Sequence, residues 1–314
     1  MRRRPRPSNA RRVAVRAGAL TALGAAVAVP LLRKRLRIPV PVTVAACAVG
    51  PLAVAVLQPR SKKRDVALFA MQMWDFTMVH EIPYDEPERL RARLRSRYPI
   101  RVDRLIGGGQ LPNVRLQRAL AGRPGVGALN RVLAWTHWLW FVEPYLALAL
   151  VLVRDNERFP RAARQMAAVF DLGCVVYFAV PTAPPWWAAE QKVTDEEVRR
   201  IMVEVGEGTW RSAWPKMYEA LGGNPWAAMP SLHFATSVQA ALSLSEVGRK
   251  EGALGWGYAS TLGFALVYLG EHYVTDLIAG AFLVAAVRRG EKLAEPLVLG
   301  VNGALQRFER IASK

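Results

Sequence analysis

The chain has 314 residues, of which 52% are hydrophobic and grouped in long uninterrupted blocks, and it carries a formal net charge of +18 at pH 7. That distribution excludes an ordinary soluble domain and predicts an all-α, polytopic transmembrane helix bundle of about six to seven spans. The positive charge suits anionic membrane lipid or a phosphorylated substrate; with no zinc-finger, ribonucleoprotein or recognition-helix pattern in the sequence, nucleic acid is not an expected partner.

A hydrocarbon core about 30 Å thick takes roughly 20 helical residues to cross. Suitable stretches fall at residues 13–32, 38–57, 133–153, 164–181, 230–247, 253–270 and 274–289. The first also has the layout of a signal peptide, because Arg2 to Arg12 precede an apolar run containing Ala26-Val27-Ala28. The basic run Arg33 to Arg37 opposes export of the chain beyond it, so a retained span is expected. Residues 1–64 therefore read as a basic N-terminus and transmembrane hairpin, and 65–132 as a basic connection. Within it, Phe69, Met71, Met73, Trp74 and Phe76 give 65–80 the bulk of an amphipathic segment lying on the membrane, with an ordinary buried helix as the alternative. Arg89, Arg91, Arg93, Arg95 and Arg97 read as headgroup contacts or as a solvated charge run. Gly107-Gly108-Gly109 lacks the Lys and Ser/Thr of a phosphate-cradling loop and reads as a turn.

Residues 133–290 form the expected membrane core and 291–314 a cytoplasmic tail. Short-loop charge orients the core: Arg154, Arg158, Arg161 and Arg164, then Arg249-Lys250 and Arg288-Arg289, mark cytoplasmic ends. The long connection 182–229 then lies outside, where Glu190, Asp195, Glu196, Glu197, Glu204, Glu207 and Glu219 outnumber its basic residues. Cys47 and Cys174 sit in apolar stretches and read as packing residues, so neither a disulfide framework nor a cysteine metal site is expected. Glu143, Asp171 and His137 read first as helix-to-helix hydrogen bonds and second as cavity lining. Trp186-Trp187 and Trp135, Trp138 and Trp140 read as interfacial anchors, and the Ala- and Ser-rich face of 235–245 as a close-packing surface.

The chain has four histidines, His80, His137, His233 and His272. His233 and His272 occupy matching places, each where a polar connection meets an apolar helix on the outer face. Pro230 and Ser231 open the helix bearing His233, and a helix N-terminus with free N–H groups attracts phosphate. Helical spacing puts His272 and Asp276 on one face, so the carboxylate fixes the imidazole tautomer and leaves the other nitrogen basic and aimed. An oriented imidazole is a competent nucleophile toward phosphorus, and a second one can serve the departing oxygen as acid and then base. The two rings are expected to converge on a phosphorus-sized gap.

Pro230-Ser231-Leu232-His233 together with His272-Tyr273-Val274-Thr275-Asp276 resembles the second and third signatures of the type 2 phosphatidic acid phosphatase (PAP2) superfamily. Phe178 to Trp187, followed by Asn224-Pro225 and Met229, is similar to its inositol phosphorylceramide synthase-like branch. The resemblance covers about residues 133 to 289. It implies a phosphohistidine mechanism with no metal or other cofactor: His272 attacks phosphorus, Asp276 orients it, His233 serves the leaving group and Ser231 binds a phosphoryl oxygen. Two features depart from the pattern. The first signature has Lys and Arg before a Pro, whereas Pro181 to Trp187 contains no basic residue. Ala265 and Leu266 occupy the places of the usual Ser-Arg pair. Cations for the transition state must therefore come from elsewhere; Lys192, Arg199, Arg200, Arg211 and Lys216 are the candidates, with the basic 89–104 region as a second source.

The resemblance implies a lipid phosphatase or phosphotransferase in the cell membrane with an extracytoplasmic site, acting on a lipid phosphate or phospholipid. Water as acceptor gives a phosphatase; a lipid or inositol hydroxyl gives a transferase. A non-catalytic transporter or lipid scaffold explains the spans and the charge but leaves the ordered histidine motifs to chance. A soluble vanadate-dependent peroxidase conflicts with the apolar spans.

Overall fold

A computed structural model describes residues 9–216 and 224–312. Arg2, Arg3, Arg4 and Arg6 of the basic N-terminus, and Glu219 of the long connection, lie outside the described residues. The described chain is helical, without a strand; Thr182 and Ala227 form one isolated bridge. It divides into two compact units, residues 1–85 with 288–314 and residues 86–287.

In the first unit, α1 (Asn9–Leu36) and α2 (Val40–Leu57) are long and apolar enough to cross a membrane. Pro39 precedes α2 and Pro41 occupies its first turn, where a missing N–H breaks no helical bond. α3 (Lys62–His80) begins at Ser61, whose hydroxyl accepts from Arg64 N at 3.2 Å. It packs on α2, buries Met71 and Met73, and the Trp74 indole donates to the Ala26 carbonyl at 3.1 Å. Residues 65–80 thus lie in one helix, with Met71 against Gly50 of α2 and Phe69, Trp74 and Phe76 half-buried.

The second unit contains α4 (Pro87–Ala92), α5 (Arg97–Ile106), α6 (Pro112–Leu120), α7 (Val126–Leu139), α8 (Glu143–Arg154), α9 (Phe159–Ala179), α10 (Pro185–Glu190), α11 (Ile201–Trp210), α12 (Leu232–Val247), α13 (Arg249–Tyr268) and the start of α14 (Val274–Ala312). Of these, α9 is by itself long and apolar enough to span, and α7 with α8 qualifies only as a pair bent by 62°. The expected single span at 133–153 is therefore broken. Pro144, in the first turn of α8, has no N–H to carry the helical ladder through. Among the described residues, three helices, or four with the bent pair, are long and apolar enough to cross a membrane. α14 runs on to Ala312, so residues 291–312 are helical; Arg60 and Arg64 hold its end through Glu309 at 3.3 and 2.7 Å.

Helices α12 and α13 approach closely through small residues: a Cβ on Gly255 would lie 2.7 Å from Ala241 Cα, which is the use expected of the small-residue face of 235–245. α12 also packs on α8 and α9. At one end of this bundle Arg154–Glu251 (3.7 Å) and Arg161–Glu246 (3.3 Å) tie together the two basic connections that the charge pattern assigned to one side. At the other end, Leu133, Ile201, Met202, Trp214, Ala265, Tyr268 and Leu269 form a cluster that pins α11 to α7 and α13. A neighbouring cluster of Ile100, Leu111, Val114, Ala188, Val198 and Tyr273 packs α5, α6 and the long connection around the residue after His272. Burial of a side chain such as Leu111, fully enclosed there, contributes roughly 1.5–3 kcal/mol.

Candidate active site

The two histidine motifs meet where α12 and α14 begin. Ser231 caps α12, its hydroxyl accepting from Phe234 N at 3.3 Å, and the Tyr177 hydroxyl donates to the Pro230 carbonyl at 2.9 Å. Ser231 N donates to the Asp276 carbonyl at 3.0 Å, which fixes one helix start against the other. Ahead of His272 the chain turns sharply after α13. Gly270 adopts φ +88°, and a Cβ there would fall 2.5 Å from the Arg199 carbonyl, so only glycine fits. The N–H groups of Glu271 and His272 then both donate back to the Leu266 carbonyl, at 3.0 and 3.1 Å.

This turn presents His272 with its Nδ1 3.1 Å from Asp276 Oδ2, and the same oxygen accepts from Tyr273 N at 3.0 Å. Asp276 is fully buried and His272 is 5% exposed. A buried carboxylate at Nδ1 places the proton there and leaves the Nε2 lone pair free. That nitrogen faces His233 Nδ1 at 3.3 Å. The rings converge as the motifs require, but they meet directly. The expected phosphorus-sized gap between them is closed, and a phosphoryl group enters only if one imidazole turns aside. His233 is the partly exposed member of the pair, with ring centroids 4.9 Å from His137 and 4.1 Å from Trp140.

His137 and Trp140 correct the sequence reading. His137 stacks on His233 at an interplanar angle of 29°, and its buried Nδ1 has no hydrogen-bond partner among the described residues, where a helix-to-helix hydrogen bond was expected. Trp140 donates to Thr236 Oγ1 at 2.8 Å and walls the site rather than serving simply as an interfacial anchor. Three of the chain's four histidines thus share one site, a convergence across separate helices that linear spacing does not reveal. Glu143 does form the expected interhelical bond, accepting from Ser237 Oγ at 3.4 Å.

Of the five cations singled out in the outer connection, Arg200 connects to this site. Its guanidinium lies 3.5 Å from the centroid of the Trp186 ring and 3.4 Å from Glu271 Oε1, on the residue before His272. Burial pushes the Glu271 carboxyl above its ordinary value, opposed by the charges of Arg200 and His272 and by bonds from Arg200 and Trp186. Trp186 is 8% exposed and supports a cation, a second departure from the anchor reading. Arg199 instead pairs with Glu204 at 2.5 Å. With Arg104, Lys192, Thr194 and Glu196 it lines a separate open cleft of about 630 Å³. Arg211 and Lys216 are exposed beyond the end of α11.

The basic region 89–104 also packs into this unit. Arg93 donates to the Phe178 carbonyl at 2.7 Å, Arg95 N to the Pro181 carbonyl at 2.8 Å, and Arg91 sits over Trp187. The Tyr98 hydroxyl, its pKa pushed up to about 12 by burial, is 2.9 Å from Thr182 Oγ1. Among the described residues no group of three or more His, Cys, Asp or Glu converges in a metal-holding arrangement.

These features define a class of helical protein: two histidines from adjacent helix starts, one oriented by a buried aspartate, in a bundle with membrane-length apolar helices. Residues 104–288, more than half of the chain, match the PAP2 superfamily, and the chain belongs to that superfamily, whose members are generally phosphatase- or phosphotransferase-type enzymes. No curated protein and no solved structure matches it.

Proposed function

We propose that the chain is a membrane-embedded lipid phosphatase or phosphotransferase that works through a phosphohistidine on His272. The observation that carries this reading is the aligned series Asp276 Oδ2, His272 Nδ1, His272 Nε2 and His233 Nδ1, with contacts of 3.1 and 3.3 Å. His272 Nε2 attacks phosphorus while the P–O bond to the leaving group breaks, and Asp276 holds the resulting cationic imidazole. His233 gives its proton to the departing oxygen. It then takes a proton from the water or alcohol whose oxygen displaces His272 from phosphorus, which restores both rings. Ser231, at the α12 start, is the proposed ligand of one phosphoryl oxygen.

Arg200 is the proposed cation for the phosphoryl oxygens. The stretch where the superfamily carries basic residues has Trp186 instead, and Trp186 holds Arg200 against its ring. The long connection thereby supplies the charge that the local motif lacks. Lys192, Arg199, Arg211 and Lys216 are further from this role by their contacts. The site is proposed to face the extracytoplasmic side of the cell membrane, at the end of the bundle opposite the arginine-rich connections.

The alternative acceptor is a lipid or inositol hydroxyl, as the sequence resemblance to the inositol phosphorylceramide synthase-like branch implies. Incubating the purified chain with a labelled lipid phosphate or phospholipid, with and without an alcohol acceptor, and measuring free phosphate against labelled product lipid decides the acceptor. His272→Ala is expected to abolish both products in a folded protein, and retained turnover removes the proposed nucleophile.

A further inference from the structure

Side chains from a distant part of the chain also hold the turn that carries His272. Asp103, on α5, is fully buried, and its carboxylate accepts from Val274 N at 2.8 Å, Thr275 N at 2.9 Å and the Thr275 hydroxyl. It therefore caps the first turn of α14 from 171 residues upstream, satisfying N–H groups that would otherwise be orphaned. Burial raises the Asp103 carboxyl, and these bonds oppose that rise.

Asn113 and Gln117 lie one turn apart on α6 and face the same backbone. Asn113 Nδ2 donates to the carbonyls of Val267 and His272, at 2.7 and 3.0 Å. Gln117 Nε2 donates to the carbonyls of Tyr268 and Arg199, both at 2.9 Å, while Arg199 N donates back to Gln117 Oε1 at 2.9 Å. Three buried polar side chains thus bind the backbone on both sides of His272 and the residue before Arg200. These contacts add to the bonds within the turn and to the Asp276 bond on the imidazole itself.

We propose that Asp103, braced by Asn113, is a positioning residue for phosphoryl transfer: it fixes the 272–275 backbone so that His272 keeps its aim at phosphorus, and Gln117 ties the Arg200 segment to the same brace. The superfamily match begins at residue 104, so it does not include Asp103. The inference rests on the phosphohistidine reading above. Its energetic logic is geometric: a misplacement of about 1 Å at a reacting atom costs on the order of 100-fold in rate.

The test uses the full chain in detergent micelles with ³²P-labelled phosphatidate and rapid acid-free quenching. It reads the rate constant at which label is acquired in a single turnover, the final fraction of enzyme labelled, and KM. Asp103→Asn, which keeps one acceptor, should slow label acquisition about 10-fold and Asp103→Ala about 100-fold, with KM changing less than about twofold. Thr275→Val removes one bond without touching Asp103 and should slow it several-fold, which keeps the idea testable if the Asp103 variants fold poorly. A purely structural role predicts a smaller labelled fraction acquired at an unchanged rate constant, and that result overturns the proposal alone. Wild-type enzyme that never acquires label overturns the phosphohistidine reading and this inference with it.

Discussion

Gly280 offers a test in which packing and chemistry are coupled. It lies one turn after Asp276, where α14 passes the start of α12, and a Cβ at this position would sit 2.8 Å from the Ser231 carbonyl and 3.4 Å from Ala235. Gly280→Ala therefore forces the two helix starts apart by roughly 0.5 Å to restore van der Waals contact, since the obstructing atom is backbone. Overpacking of this kind costs about 1–3 kcal/mol, against a gain of about 1 kcal/mol from replacing glycine within a helix. The net expectation is a loss of about 0–2 kcal/mol. Because His233 and His272 ride on the displaced segments, half an ångström should also lower kcat about 10-fold. Gly257→Ala is the control, for nothing lies within 4 Å of its added carbon, so the helix-propensity gain should stand alone. The assay is thermal unfolding in detergent together with turnover of labelled lipid phosphate. Gly280→Ala matching or exceeding Gly257→Ala in both readings would refute the close approach of α12 and α14.

Asp276→Asn should be milder than its position suggests. Oδ2 alone receives both His272 and Tyr273, so an amide oxygen can keep both bonds and lose only the charge; the expected drop in kcat is about 10- to 30-fold, with Asp276→Ala falling further. Arg200→Ala should lower kcat by about 100-fold or more, and Arg200→Lys should restore only part, because a point charge does not lie flat on Trp186. In the first unit, burial raises the Glu309 carboxyl, but bonds and charge from Arg64 and Arg60 outweigh it and the folded pKa is lowered. A lowered folded pKa gives stability present above the unfolded carboxylate range and lost as pH falls through the folded value. Thermal unfolding should therefore fall in acid, and Arg64→Ala should flatten that dependence.

Much of the site was legible because its two motifs are local. Pro230 to His233 falls at a helix start as its sequence implies, whereas His272 precedes α14, so its meeting with Asp276 comes from the turn ahead of Val274 and not from helical spacing. The superfamily could be read from the same residues. What escaped the sequence were contacts that cross helices. His137 could be read only as a helix-to-helix hydrogen bond or as cavity lining, and its stacking on His233 appears only in the fold. Asp103 sits in a basic segment with no periodic signal, yet it caps a helix far along the chain. Arg200 was one of five equivalent candidates until its stacking on Trp186 separated it from the others. The break at Pro144 was readable in principle, since proline in an apolar run marks a discontinuity, but continuous hydropathy across 133–153 masked it. The gap expected between the two imidazoles was read from chemistry, and the rings instead close on one another at 3.3 Å.

The most direct test of the central claim is to trap the covalent intermediate. Wild-type protein quenched in alkali after brief exposure to ³²P-labelled lipid phosphate should carry acid-labile, alkali-stable label, and peptide mapping should place it on His272. Asp276→Asn should acquire that label more slowly, and His233→Ala should form or release it slowly. Turnover of the lipid without any labelled histidine, or label mapping to a residue other than His272, would contradict the account.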